Sequence, residues 1–454
     1  MDQVLRAKTA LLPSGWANDV AVRIADGRIA DVVMRDRDMA PNAVTVDILL
    51  PSPANLHSHA FQRAMAGLTE TRTGEQDSFW TWRTLMYRFL EALSPDDVQA
   101  IAAHVYVEML EAGYAAVGEF HYLHHGLSGT SYDDPAEMSS QIAAAAVQTG
   151  IGLTHLPVLY MRGGTDGRPL EGGQLRFGCE MDRFLRLLEG AETAVAQVST
   201  DATTGVAAHS LRAVGVEALT DAAQLRTDKP FHIHIAEQSA EVVDVLASHG
   251  ATPIEWLLEN MNVGPRWCLI HATHMSPAEV KGLATSGAVA GLCPITEANL
   301  GDGTFEAGSF MQEGGTLGVG SDSNIRISLS GELRTLEYGQ RLRDRARAVL
   351  SRDGSTGRTV FDAACRGGAQ ALGRRSGAIE AGSWADLVAL DSNALALEGL
   401  QGDTVLDSWI FAGDDRVISD VWSAGRHVVQ DGRHIRRDAI EARFREVLSR
   451  LRAI

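Results

Sequence analysis

Leu56-His57-Ser58-His59 closes the apolar run DILLPSPANLHSHA and places two imidazoles two residues apart. In an extended chain, residues two apart project to the same side, so both rings can reach one cation. The pattern is short, and two surface histidines would produce it as often as a metal site. Three further residues shift the balance. His234 lies in PFHIHIAEQ, Glu237 follows it by three residues, and Asp322 lies in LGVGSDSN. Three imidazoles and one carboxylate make a nitrogen- and oxygen-rich shell suited to zinc, with room left for water or substrate. Such an ion brings the ionisation of a bound water close to neutral pH. The shell is complete without Glu237, which is then placed to take a proton from water and return it to a leaving nitrogen. Its bland alternative is a solvated glutamate on the following helix. His271, in CLIHATHM, is expected to hydrogen-bond the attacking water or the developing tetrahedral centre. A core histidine bonded to backbone is the competing reading, and His274 is a substitute one step further into the loop. The same ligands could hold iron or manganese.

Other polar residues give weaker signals. His232 alternates with His234 and is expected beside the ligands, supporting them. Of His121, His124 and His125, mixed with Tyr122 after another apolar run, one or two are expected in the pocket and the rest on the loop surface. Arg83 sits in the aromatic-rich SFWTWRTLMYRF, and Arg212 follows His209 by three residues in AAHSLRAV. A guanidinium fork grips a carboxylate at two points, so two arginines in one pocket would suit a dicarboxylate. From type and spacing alone, a surface arginine is the favoured reading of each.

These residues need a scaffold that brings distant stretches to one rim. The central chain alternates short apolar runs, each ending in polar residues, with longer helical stretches. One such stretch, SPDDVQAIAAHVYVEMLEAG, carries Ser94 as N-cap, Pro95 at the first helical position and Gly113 as a stop. Repeated strand–helix units argue for a parallel sheet, and eight strand ends argue for a closed (β/α)8 TIM barrel with its chemistry at the carboxyl rim. The two chain ends differ. Asp26-Gly27 and Asp431-Gly432 are hairpin turns between β-branched runs. Residues 1–50 and 376–454 are expected to pair into one small composite β-sandwich, with 51–375 as the catalytic barrel.

Composition sets outer limits. The chain has 454 residues, 45% of them apolar and 22% charged, enough for a large core without disulfides. Cys179, Cys268, Cys293 and Cys365 are scattered and form no CxxC pair, which reads as reduced thiols in a cytoplasmic protein. No secretory signal and no run of eighteen apolar residues is present, so no membrane span is expected. The net charge of −18 argues against nucleic acid and requires specific arginines for any anionic substrate.

Taken together, the HxH, the His234–Glu237 HxxE, the single His271 and the final Asp322 resemble the amidohydrolase superfamily over nearly the whole chain. Within it, NLHSHAFQRAMAG, DSFWTWR, GEFHYLHH, AAHSLRAV, HIHIAEQ and GVGSDSN resemble the N-formimidoyl-L-glutamate deiminases. That resemblance implies one zinc ion per subunit and a small anionic substrate, N-formimidoyl-L-glutamate. Hydrolysis would yield N-formyl-L-glutamate and ammonia in histidine degradation. It implies His57, His59, His234 and Asp322 as ligands, Glu237 as acid/base and His271 as the water-orienting residue. Gln62, Arg83, Tyr122, His209 and Arg212 would contact substrate. Barrels of this kind resemble dimers more often than monomers. The rivals are a deaminase of the same fold acting on a purine or pterin ring, and a non-enzymatic assembly protein. Retention of all four ligands argues against the second.

Overall fold

The computed structural model describes residues 3–34, 43–68, 70, 86–352 and 354–453. The amino-terminal strands are β1 (Gln3–Leu12), β2 (Gly15–Ala25), β3 (Arg28–Met34) and β4 (Val44–Pro51). Asp26 and Gly27 both have positive φ, +50° and +77°, which lets the β2–β3 turn follow the twist of its strands. The run DILLPSPANLHSHA holds two strands rather than one. Its first half belongs to β4, and after Ser52-Pro53 the chain enters the barrel as β5 (Ala54–Ser58).

The barrel continues through β6 (Ala116–His121), β7 (Gly152–Leu159), the short β8 (Thr203–Thr204), β9 (Val206–Ala208), β10 (Phe231–Ile235), β11 (Trp267–His271), β12 (Val289–Leu292) and β13 (Thr316–Val319). These strands are parallel, in the order β13-β12-β11-β10-β9-β7-β6-β5, with β8 beside β7. Counting β8 and β9 as one position gives the eight expected. Closure is made by the site itself: the His59 amide donates to the Asp322 carbonyl, and the Asp322 amide to that of His57, each at 2.9 Å. Gly320 permits this seam, because a Cβ there would come within 2.7 Å of the His57 backbone nitrogen and oxygen.

Helices link the strands as capping chemistry dictates. The helix Pro95–Glu111 starts on a Ser94/Asp97 capping box and gives way to Gly113 at φ +95°. The helix Thr356–Ala371 crosses the barrel wall closely enough that a Cβ on Gly368 would meet the Ala54 carbonyl at 2.7 Å. Its end reaches the barrel interior, where Ala371 and Leu372 pack with Ala54, Leu56, Cys268, Ile270 and Val289.

The chain then returns to the first sheet as β14 (Leu387–Leu390), β15 (Ile418–Ser423), β16 (Arg426–Gln430) and β17 (Arg433–His434). The two chain ends form a single eight-stranded sheet, β17-β16-β15-β14-β4-β1-β2-β3, in which only β1–β4 is a parallel pair. Its apolar core, including Leu5, Val22, Leu49, Leu387 and Trp422, is separate from that of the barrel. Among the described residues, no helix is long and apolar enough to cross a membrane.

A buried arginine joins the barrel to this sheet. Arg374 spans Asp386 at 2.6 Å and Asp201 at 2.9 Å, all three nearly excluded from solvent. Removing one member of such a group strands charge in a low dielectric and costs about 3–5 kcal/mol. Arg374→Met is therefore expected to lower the urea midpoint by a corresponding amount. An unchanged midpoint would show that the two aspartates do not depend on it.

Candidate metal centre and cavity

The ligand-type side chains come from three strand ends far apart in sequence. His57 and His59 leave β5, His234 is the penultimate residue of β10, and Asp322 follows β13. Between Asn55 and Ser58 the β5–β6 register slips by one residue. This bulge lets Leu56 fill the barrel interior while His57, the next residue, still turns toward the rim.

The four side chains meet. His57 Nε2 lies 3.2 Å from His59 Nε2 and 3.0 Å from His234 Nε2. Asp322 Oδ1 lies 3.5 Å from His57 Nε2 and 3.2 Å from His59 Nε2. The far sides of two rings are fixed: His59 Nδ1 donates to the Phe120 carbonyl at 2.8 Å, and His234 Nδ1 to the His209 carbonyl at 3.1 Å. With the ring proton on Nδ1, each Nε2 presents a lone pair to the centre. Burial pushes the His57 pKa down to about 3 and the His234 pKa well below its ordinary value, so the rings stay neutral. Burial opposes charge on Asp322, yet the His57 and His59 rings beside it leave its pKa well below the carboxylate range. Converging lone pairs beside a carboxylate repel one another unless a cation lies between them. This donor set fits a metal ion, and the group satisfies the distance requirement for one.

A cavity opens over this centre. It is lined by His59, His234 and Asp322, and also by Gln62, Tyr122, His209, Arg212, Glu237 and His271. His57 sits beneath, fully buried. Gln62 Nε2 donates to Tyr122 Oη at 2.7 Å. Arg212 is buried, and its Nε has no hydrogen-bond partner among the described residues. Glu237 follows β10, its amide donating to Glu241 Oε2 at 3.1 Å. Burial raises the Glu237 pKa, against the pull of His271. His271 Nε2 stands 3.9 Å from both Glu237 Oε1 and Asp322 Oδ2. Five residues at these strand ends hold left-handed backbone without being glycine: Ala236 at φ +53°, His271 at +72°, Ala272 at +48°, Asp322 at +46° and Asn324 at +55°. Such strain concentrates where a fold must aim side chains.

Some expectations need correction. His232 shares a face with His234 but lies two residues, roughly 6–7 Å, lower in the barrel. There its Nε2 bonds the Ala371 carbonyl at 2.8 Å, so it does not support the ligands. His121, His124 and His125 are all buried, and none lines the cavity or the surface. Strand alternation explains this: Phe120 and Tyr122 face the centre, so His121 points outward, toward His155. His124 and His125 bond the carbonyls of Val158 and Gly178. His274 does not line the cavity, whereas His271 does. Arg83 and the segment DSFWTWR lie outside the described residues.

Sequence reasoning missed Met86, Tyr160, Phe177, Thr296, Leu300 and Ser323, which also line the cavity. Tyr160 ends the run IGLTHLPVLY, and Ser323 adjoins Asp322, so the strand-end rule applied strictly would have reached both. It also missed Arg63, whose guanidinium spans Glu108 and donates to the Asn324 and Ile325 carbonyls at 2.9 Å, tying the two ligand-bearing loops together.

Comparison with known proteins agrees with this geometry. Residues 48–428 match the amidohydrolase family, and residues 2–38 match the N-terminal domain described as formimidoylglutamate deiminase HutF. The chain is 51% identical over 450 residues to the formimidoylglutamate deiminase of Pseudomonas aeruginosa, covering 98% of both chains. It is 26% identical over 411 residues to a 5-methylthioadenosine/S-adenosylhomocysteine deaminase of Halobacterium salinarum, covering 89% of this chain and 85% of that one. Among solved structures, an amidohydrolase from Brucella melitensis superposes with a TM-score of 0.95 at 48% identity, covering 99% of each chain. An adenosine deaminase from Xanthomonas campestris with bound zinc shares the fold at 0.84 and 23% identity, covering 100% of this chain and 99% of that one.

Proposed function

This chain belongs to the amidohydrolase family, and from that premise we propose that it hydrolyses N-formimidoyl-L-glutamate to N-formyl-L-glutamate and ammonia. One observation carries the reading. In a chain half identical from end to end to a formimidoylglutamate deiminase, the buried Arg212 guanidinium, whose Nε has no hydrogen-bond partner among the described residues, shares one cavity with Glu237, His271 and the converging ligand set. A cavity built for a neutral purine ring has no need of such a cation, whereas a carboxylate satisfies it.

His57, His59, His234 and Asp322 would hold one zinc ion per chain. When bound, zinc supplies Lewis acidity, which makes a water nucleophilic near neutral pH. Glu237 takes the proton from that water as its oxygen adds to the formimidoyl carbon. His271, 3.9 Å from both carboxylates, steadies the tetrahedral carbon. Glu237 delivers that proton to the terminal nitrogen as the carbon–nitrogen double bond opens, then relays the remaining hydroxyl proton to the same nitrogen as the carbonyl forms, so that the carbon–nitrogen bond breaks and ammonia leaves. Arg212 binds a carboxylate away from the reacting carbon, with Gln62, Tyr122 and His209 around the rest of the molecule, and so fixes its approach. Arg83 is a second carboxylate contact in this reading. We place the protein in the cytoplasm, as a homodimer, with residues 51–375 as the catalytic unit and 1–50 with 376–454 as its composite β unit. The four free cysteines, all buried, suit a reducing compartment.

Ammonia release should be compared on formimidoylglutamate, adenosine, S-adenosylhomocysteine and a pterin. The first is expected to exceed the others by at least ~10³-fold in kcat/KM, and preference for a ring substrate would overturn the assignment. Arg212→Ala should cost about 3 kcal/mol, roughly a hundredfold in kcat/KM, by leaving a buried carboxylate unpaired. Wild-type efficiency in that variant would remove Arg212 from the substrate site.

A further inference from the structure

His271 reaches the cavity with one ring nitrogen only, and the other is occupied behind it. Its Nδ1 lies 3.2 Å from Glu297 Oε1. Glu297 belongs to the helix Pro294–Leu300, is buried and is not part of the lining over the ligands. The same Oε1 accepts the Cys293 amide at 2.8 Å, and the Glu297 amide donates to the Cys293 carbonyl at 2.9 Å. The carboxylate is therefore clamped to the start of its own helix before it meets the imidazole.

We propose that Glu297 is a positioning residue for the reaction, holding the His271 ring in one orientation and one tautomer; this rests on the deiminase reading above. A carboxylate has no proton to give, so the proton of this contact sits on His271 Nδ1. Nε2 is then the only ring atom that can exchange a hydrogen bond within the cavity, at equal distances from Glu237 and Asp322. Without Glu297 the ring could rotate by half a turn about its Cβ–Cγ bond and offer a carbon where Nε2 now stands. The backbone of His271, at φ +72°, already sets the direction of the side chain, and Glu297 fixes its remaining freedom.

His271, Cys293 and Glu297 also lie close enough to be read as a second cation site. The hydrogen bonds give these groups another role, because Glu297 Oε1 meets both the His271 ring and the Cys293 amide.

A four-protein cycle tests the proposal: wild type, Glu297→Gln, His271→Asn and the double variant, each zinc-loaded and assayed on formimidoylglutamate. Glu297→Gln should lose about 10–100-fold in kcat, with KM within about threefold and one zinc per chain retained. In the His271→Asn background the same change should cost less than about twofold, because its partner is gone. Wild-type kcat in Glu297→Gln, or an equal loss in both backgrounds, would overturn it. So would two ions per wild-type chain, one of them lost with Glu297. If wild type releases no ammonia from formimidoylglutamate, the assigned substrate fails instead, and the cycle is run on whichever substrate is turned over. Nitrogen-15 NMR of wild-type His271, assigned against His271→Asn, gives a readout needing no folded Glu297 variant. A proton on Nδ1 is expected, and an unprotonated Nδ1 would sink the idea.

Discussion

A Glu237→Gln variant should keep its metal and lose about ten-thousandfold in turnover. Proton transfer by one placed side chain contributes ~10²–10⁴-fold, and Glu237 is used twice, once as base and once as acid. Its setting suits both roles. Burial raises its pKa, which makes the carboxylate a stronger base for water than an exposed glutamate. The same shift leaves the protonated form a ready donor to nitrogen. Glutamine preserves the shape and the amide bond to Glu241, so neither the loop nor the ligand His234 should move. What glutamine cannot do is accept the proton. Steady-state ammonia release with zinc measured on the same preparation would test this. Turnover within about tenfold of wild type, at full zinc content, would place the proton shuttle elsewhere.

The scaffold and the centre were legible in the sequence for a physical reason: each rests on a short-range rule. Alternation in an extended chain anticipates His57 and His59 on one side, and the two rings meet at 3.2 Å although the register slip between Asn55 and Ser58 takes in His57. Capping chemistry marks the helix after Ser94, and Asp-Gly marks both terminal hairpins. What the sequence hid depends on depth and on long-range pairing. His232 and His234 share a face, yet only height along the strand separates a ligand from a floor residue, and the helix end that defines the floor is over a hundred residues away. Arg63 and Glu297 look like ordinary helix-surface charges in a one-dimensional pattern. Their partners, Asn324 and His271, come from distant stretches of the chain. Phe177 reaches the cavity from a turn and Met86 from a short helical stretch at 86–90, too short for periodicity to announce direction.

Removing a ligand should have the other large effect. His234→Ala is expected to cut bound metal to below about a tenth of wild type and activity by at least ~10⁴-fold, while the barrel stays folded. The fold survives because β10 is held by backbone pairing to β9 and β11, and the His234 amide bonds the His209 carbonyl whatever the side chain. The metal is held far more weakly, because one of the four converging protein donors is lost and the remaining three are not arranged around the ion by themselves. Chelation of the wild type should reproduce the loss, and added zinc should restore it; restoration only by iron or manganese would reassign the native ion. The stability signal has a definite sign. His57 Nε2 stands within 3.2 Å of two other imidazole nitrogens, and Asp322 lies beside them, buried. A cation that binds this arrangement and not the unfolded chain must raise the melting temperature, by an amount that grows with the logarithm of its free concentration. A metal-free protein that melts at the same temperature as the loaded one would mean that these four side chains do not share an ion.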